Sequence, residues 1–315
     1  MSHKSSKQSR NAIRCIQPIN ESSTSRSERT SPVVLLEVNN MKSLVFGAIS
    51  LLLNCLVVPI AGQELSAQDI IGRAVDSADA QRDSNAELRY QSIIEVTTEK
   101  LDRDGIVESA EEATYREYAL EGVLFEELIG EDGGPLTVSN KQDEQDRREK
   151  FAAEIRERRA EGKDPLPEDE NRIEFNDEFV ERFQFSLVGQ ETITRPSGID
   201  QYPSWVLKFS PRAGALPERR RIDTALNKSS GRVWISKDDY GIVQVEFQMN
   251  ETVPFWGGIV GRLRNAIAHI SFMRTTEQIW LVDTVNITLD LRIFFSNIHR
   301  RIVRTRSETT LRDKI

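Results

Sequence analysis

The sequence predicts an α+β fold built on one extended antiparallel sheet. Three observations carry the prediction. A helix with a single apolar stripe precedes the first strand signal, later segments alternate apolar and polar residues with the two-residue period of strands, and helical composition is confined to the interval between an N-terminal hairpin and a long C-terminal run of strands. That order, helix, hairpin, helices, then strands, fits a sheet with one buried and one mostly wet face.

Taken from the start, residues 1–40 are rich in Ser with scattered Lys and Arg, and Met41 to Gln63 reads MKSLVFGAISLLLNCLVVPIAGQ. The second stretch is an export signal in form. Lys42 is its charged region, Leu44 to Val58 its apolar core, and Pro59-Ile60-Ala61-Gly62 a small-residue exit for cleavage. Two readings of the preceding residues stay open. In one, residues 1–40 are a mis-assigned start and translation begins at Met41, so that 41–62 is a cleaved signal peptide. In the other, residues 1–40 are a disordered cytoplasmic extension, and residues 43–62, close to the ~20 needed to cross a bilayer, are an uncleaved anchor. Pro59 and Gly62 favour cleavage.

The cysteines agree with export. Cys15 and Cys55 are the only two, and both lie ahead of Gly62, so the exported chain is expected to rely on its core without disulfides or thiolate metal sites. Leu52-Leu53-Asn54-Cys55 is a poor lipobox, because Asn54 replaces a small residue and the apolar run continues past it. Residues 1–62 carry seven Lys and Arg against three Asp and Glu, so a whole-chain net charge of −8 becomes −12 in the remainder. An acidic chain excludes nucleic acid as the expected partner. Residues 63–315 are expected to form a single β-rich domain.

Within that domain, Ser66 is placed as a helix cap with Asp69 completing a capping box. The helix is expected to run to about Asp83, with Ile70, Ile71, Ala74, Val75 and Ala78 on one side. Tyr90, Ser92, Ile94 and Val96 then share a strand face, Asp102-Arg103-Asp104-Gly105 turns the chain, and Ala113 to Leu120 returns as the partner strand. Phe125 to Ile129 is a further short strand, followed by a Gly-rich loop through Pro135. The next interval, about 141–170, holds eight Lys or Arg and eleven Asp or Glu. It predicts a charged helical insertion, read first as a solvated helix with internal ion pairs and second as a partner-binding helix. Pro165 and Pro167 stop it, and a second helix is expected from Glu168 to Phe185, with Phe175, Phe179 and Phe183 stacked along its core side.

The C-terminal strands are plainer. Trp205, Leu207 and Phe209 alternate with polar residues, as do Val243, Val245, Phe247 and Met249, and Ile287, Leu289, Leu291, Ile293 and Phe295. Gly231 to Ser236 is another strand, closed by the turn Lys237-Asp238-Asp239-Tyr240-Gly241. Between these, Val253 to Gly261 sets Phe255 and Trp256 among glycines and a proline. Such a loop either tucks its aromatic rings onto the core or gates an apolar cavity. Arg292, Arg300, Arg301, Arg304 and Arg306 form a basic cluster, read as a solvated strand face or as a patch for anionic headgroups or an acidic partner.

Catalytic signatures are sparse. Beyond Gly62 the only histidines are His269 and His299, no cysteine remains, and neither a G-x-S-x-G elbow nor a G-x-x-x-x-G-K-[ST] loop occurs. No catalytic residue, metal ligand or cofactor is assigned, and the chain is expected not to be an enzyme.

The order of elements, together with Trp205-Val-Leu-Lys-Phe-Ser-Pro211, Gly231-Arg-Val-Trp-Ile235 and the acidic turn Lys237-Asp238-Asp239, resembles the LolA-like superfamily of periplasmic lipoprotein carriers. The resemblance covers roughly Ser66 to Arg306 and rests on strands and turns, not on a catalytic motif. It implies an extended antiparallel sheet forming an incomplete, half-open β-barrel, with helices covering an apolar concave face. It also implies that Trp205, Trp234, Phe247, Phe255 and Trp256 contribute to a ligand-binding hollow. The expected partners are lipid acyl chains or a lipidated protein, with an envelope membrane protein as a further candidate, and the expected place is the periplasm. The rival expectation is an envelope interaction module with no lipid ligand. The charged insertion and the basic strand are where this chain departs from compact carriers.

Overall fold

The computed structural model describes residues 65–167, 173–195, 200–255 and 261–312. The apolar run 43–62 and Trp256 lie outside them. Among the described residues, no helix is long and apolar enough to cross a membrane.

Helix α1 (Ala67–Asp83) starts where the sequence places it. The Ser66 hydroxyl accepts the Asp69 N–H at 3.1 Å and the Asp69 carboxylate accepts the Ser66 N–H at 3.1 Å. These reciprocal bonds satisfy donors that every helix start leaves open. The helix buries Ile70, Ile71, Ala74 and Val75.

Strands β1 (Tyr90–Leu101), β2 (Val107–Leu120) and β3 (Val123–Glu131) form a meander, and the two-residue β4 (Gly134–Pro135) folds back on β3. Helix α2 (Val138–Ala160) follows, and then the short α3 (Asp177–Glu181). Strands β5 (Phe183–Thr194) and β6 (Gln201–Pro211) come next, then α4 (Arg221–Leu226), β7 (Ser229–Ser236), β8 (Ile242–Met249) and β9 (Val253–Phe255). The long strands β10 (Gly261–Arg274), β11 (Trp280–Ile293) and β12 (Ser296–Leu311) complete the chain.

All pairings are antiparallel and belong to one sheet of twelve strands. Its order is β4-β3-β2-β1-β12-β11-β10-β8-β7-β6-β5, with β9 beside the start of β10. β12 is inserted between β1 and β11, so the first and last described strands share the middle of the sheet. β4 and β5 lie at opposite ends of that order, so the sheet is an open half-barrel and not a closed one.

Three sequence expectations are corrected. Of the helix expected over Glu168 to Phe185, residues 168–172 lie outside the described residues, the rest holds only α3, and Phe183 already belongs to β5. Phe175, Phe179 and Phe183 still meet, with successive ring centroids 5.6 and 5.0 Å apart, because a single helical turn hands over directly to the strand. Second, a register shift between Trp234 and Ile235 moves Val243 off the face of Val245 and Phe247 and into a cluster with Trp234. Third, the alternation through Phe295 stops early: Ile293 pairs with Ser296, and Phe294 and Phe295 form the turn between β11 and β12.

Candidate ligand-binding face

Cross-strand register sorts the sheet into two faces. One row runs Phe185, Phe209, Gly231, Phe247, Ala268, Ile287, Ile302, Thr98, Glu111 from β5 across to β2. The next on the same face runs Leu187, Leu207, Val233, Val245, Ile270, Val285, Arg304, Val96, Ala113. A third, toward the β9 end, joins Val253, Leu263, Leu291 and Ile298. The opposite face reads Arg232, Glu246, His269, Asn286, Val303, Thr97, Glu112 in its central row. One side of the sheet is therefore apolar from β5 to β11, with β12 adding Ile298 and Ile302 alongside Arg300 and Arg304, and the other is polar in its central row but carries a buried apolar cluster around Trp234.

Cover on the apolar side is uneven. Over β6 to β8 and the start of β5 it is dense, where the Phe179 ring of α3 packs against Phe183 at 5.0 Å and Phe247 at 6.0 Å between centroids, while Leu187 further along β5 is exposed. Phe209 meets Phe183 at 5.0 Å and Phe247 at 5.2 Å, and Leu207 and Val233 are fully buried. Met249, Val253 and Leu263 form a buried cluster against which Ala225 of α4, Ala266, Leu289 and Leu291 pack. Further along the same rows Ala268, Ile270, Ile287, Leu289, Leu291, Ile298 and Ile302 are only partly buried. That stretch is the candidate site.

Its polar boundary lies on β12, β1, β2 and β3. Arg304 sits between Glu117 at 3.1 Å and Glu126 at 2.6 Å, and Arg306 reaches Glu117 at 2.6 Å and the Ser92 hydroxyl at 2.7 Å. Arg301 pairs with Glu99 at 2.5 Å on the opposite face. Three of the five arginines read from sequence as a basic cluster thus carry internal partners. Charged groups at such a border confine apolar contact to the strands before it.

The residues expected to line a hollow are separated. Phe247 lies on the apolar face in the row of Ala268 and Ile287. Trp205 points to the same side, but it stacks on Tyr240 at 5.2 Å, and Arg73 of α1 donates to the Tyr240 hydroxyl at 2.6 Å, so it anchors α1 to the β7–β8 turn. Trp234 is on the other face: Val233 pairs with Val245, and the next side chain in a strand points the opposite way. It is buried with Tyr202, Val206, Val243 and Trp280, and its indole N–H donates to Glu191 at 2.8 Å. Phe255 ends β9 opposite Gly261, whereas Trp256 and the remaining gate residues fall outside the described residues.

Sequence reasoning passed over the aliphatic residues that now define the face. Their signal was present in the alternation of Ile287, Leu289 and Leu291, which needed only Ile298 and Ile302 across the hairpin to show a broad surface in place of one buried strand. Aromatic residues drew attention because of their size. Among the described residues, no three His, Cys, Asp or Glu side chains gather as a metal site.

No family model matches the chain, and no curated protein matches it. Several solved structures are similar. A LolA superfamily protein from Nitrosomonas europaea is 12% identical, with 80% of this chain and 96% of that one covered at a TM-score of 0.30. A putative outer membrane lipoprotein-sorting protein domain from Vibrio parahaemolyticus is 11% identical, with 78% and 94% covered at 0.32. A DUF1329 family protein from Desulfovibrio piger is 11% identical, with 76% and 92% covered at 0.27. These descriptions include the superfamily that the sequence resembles. At such identities and TM-scores the likeness bears on no residue, ligand or partner of this chain.

Proposed function

We propose that the chain is a divergent LolA-like protein, exported to the periplasm through residues 41–62, which binds lipid acyl chains or a lipidated partner on the apolar sheet face without catalysing a reaction. The observation that carries this reading is the partly buried aliphatic stretch Ala268, Ile270, Ile287, Leu289, Leu291, Ile298 and Ile302 on one side of the sheet, opposite a central row that is mostly polar. An acyl chain gains about 0.8 kcal/mol for each CH₂ removed from water. A row of Ile, Leu and Ala supplies that gain without hydrogen-bond demands, and so it suits a ligand defined by its chain more than by a functional group. The Arg304–Glu117–Glu126 network ends the apolar strip and fixes where a headgroup must leave it.

The rival reading, an envelope interaction module, drew on the charged helix and the basic strand. Both are tied inward: Glu144, Arg147 and Arg156 of α2 contact β3 and the β2–β3 turn, and Arg301, Arg304 and Arg306 have carboxylate partners. The lipid reading therefore leads.

Native mass spectrometry after exposure to a membrane lipid extract tests it. Added mass equal to a phospholipid, fatty acid or lipopeptide is expected; protein that stays at its own mass across the extract overturns the reading. The N-terminal residue of the same sample decides between a cleaved signal and an uncleaved anchor.

A further inference from the structure

The most exposed large apolar group of the described residues is the turn between β11 and β12. Phe294 is 60% exposed and Phe295 96%, and Ile293 beside them is 38% exposed. Surface aromatic residues are ordinary when scattered, but a paired tip is not. The backbone makes it more pointed. Phe294 takes φ 50°, and Phe295 is not among the positive-φ residues; two-residue hairpins with that pattern place Gly at the first position. A bulky side chain there is strained. Turn chemistry does not account for two phenylalanines.

Three arginines flank the tip, and the nearest acidic turn, Asp102 to Asp104, lies beyond β12 at the end of β1. Arg292 precedes the turn and pairs in register with Arg262 on β10, while Arg300 follows it on β12. All three are exposed, and among the described residues none has a carboxylate partner. On β10 to β12 the first carboxylate inward is Asp290, which lies 3.6 Å from His299. In a chain of net charge −8 this end is locally positive. The apolar face also reaches it, since Leu263, Leu291 and Ile298 form the last row before the turn.

We propose that the β11–β12 tip docks on an anionic bilayer surface, with Phe294 and Phe295 entering the boundary between headgroups and acyl chains and Arg262, Arg292 and Arg300 resting on lipid phosphates. Apolar rings flanked by cations are the composition that binds such a boundary, through buried apolar area and attraction to anionic lipid together. The rings call for an apolar layer and the arginines for an anionic one, and the headgroup boundary of an anionic bilayer supplies both together, whereas an acidic protein surface would serve the arginines alone. The proposal does not depend on lipid being held on the sheet face, although the tip would place the end of that face against the membrane.

The test uses the full chain, so that residues 1–64 are common to every variant and differences read the tip. In Phe295→Trp, the added indole emission should shift to the blue and be quenched by brominated acyl chains in vesicles of equal parts phosphatidylglycerol and phosphatidylcholine. Serine at Arg262, Arg292 and Arg300 should weaken vesicle partitioning roughly fivefold per arginine. Phe294→Gly/Phe295→Asn, a better hairpin turn, should keep the thermal midpoint and lower partitioning by at least about tenfold. Added emission that ignores vesicles overturns the proposal and leaves a protein partner for the tip. Equal partitioning to phosphatidylcholine alone overturns it as well. Loss of bound lipid in native mass spectrometry, with these readouts intact, would sink the carrier reading and leave the docking tip standing.

Discussion

Single residues hold the β5–β8 end of the sheet by means that their types alone make necessary. At Gly231 a Cβ would stand 1.8 Å from the Glu246 carbonyl oxygen and 2.7 Å from the Phe209 ring. The missing side chain is what lets Phe209 and Phe247 approach to 5.2 Å across β7. Gly231→Ala must move backbone, so its cost belongs at the upper end of the roughly 1–3 kcal/mol of overpacking. For a domain of this size that is a melting point lower by about 6–12 °C, measurable by calorimetry. Arg182 and Asp223, both essentially without solvent contact, pair at 3.1 Å, and Asp223 also accepts the N–H groups of Arg219 and Arg220 at 2.9 Å each. Burial alone would raise the Asp223 carboxyl, but those N–H groups and the guanidiniums of Arg182 and Arg220 outweigh it and hold the value below the usual carboxylate range. A depressed folded value contributes stability above the unfolded pKa of about 4 and loses it as pH falls through the folded one. Asp223→Ala takes one of two carboxylates from the buried Arg182, which keeps Glu178 at 2.9 Å, and leaves the Arg219 and Arg220 N–H groups without their acceptor, so it should cost about 1–3 kcal/mol at neutral pH. Urea midpoints measured on both proteins should converge as the solution is acidified below about pH 4; a gap that stays constant would refute the assignment.

At the scale of elements, α2 is a structural strap as well as a charged surface. β3 has only the two residues of β4 on its outer side, so Glu126 and Leu128 leave edge groups open. Glu144 accepts the Leu128 N–H at 2.9 Å, and Arg147, held by Glu144 at 2.8 Å, donates to the Glu126 carbonyl. Phe151 adds a ring contact to Phe125 at 4.9 Å. Covering an edge in this way blocks pairing with another chain. Glu144→Ala leaves a shielded N–H without its acceptor and should cost about 1–3 kcal/mol. Hydrogen exchange should accelerate at Val123–Glu131 and stay unchanged in β11 and β12; uniform acceleration would mean that α2 does not act locally. The existence of α2 was legible from its charge pattern, but its task was not, since edge groups are created by sheet order. Strand β5 was hidden for a related reason. Phe175, Phe179 and Phe183 recur every four residues, and helical periodicity is the stronger local signal. Past Phe185 the register shift between Leu187 and Gly189 breaks the alternation. Strands β6, β7, β8 and β11 were readable from their alternation, whereas β9 lay in a stretch read as a loop and β12 in one read as a basic cluster, and register shifts interrupt β8 and β10. Trp234 was assigned to the wrong side because residue identity was weighed before parity: Gly231 faces Phe247, and Trp234 lies an odd number of positions from it.

For the whole molecule the decisive feature is the gradient along the apolar rows, from fully buried Leu207 and Val233 to partly buried Ile270, Ile287 and Ile302. A closed barrel would bury both ends of such rows, and a sheet packed wholly for stability would not leave its long central strands β10 to β12 the less covered part. The partial exposure is intelligible if a mobile apolar ligand completes the layer. Ala268 is the place to ask, because it is the smallest side chain in the row between Phe247 and Ile287. Ala268→Trp adds an indole to space that a ligand would share, while touching residues that are already apolar and partly exposed. If the face binds acyl chains, this variant should keep its far-ultraviolet spectrum, change its melting point by no more than a few degrees, and lose at least about tenfold in bound lipid, in line with the 1–3 kcal/mol that overpacking exacts. If the stretch is ordinary core, the outcome reverses: the melting point falls steeply, and any lipid signal is untouched in the fraction that remains folded. The two results cannot coincide, since one requires space at Ala268 in the folded protein and the other requires its absence.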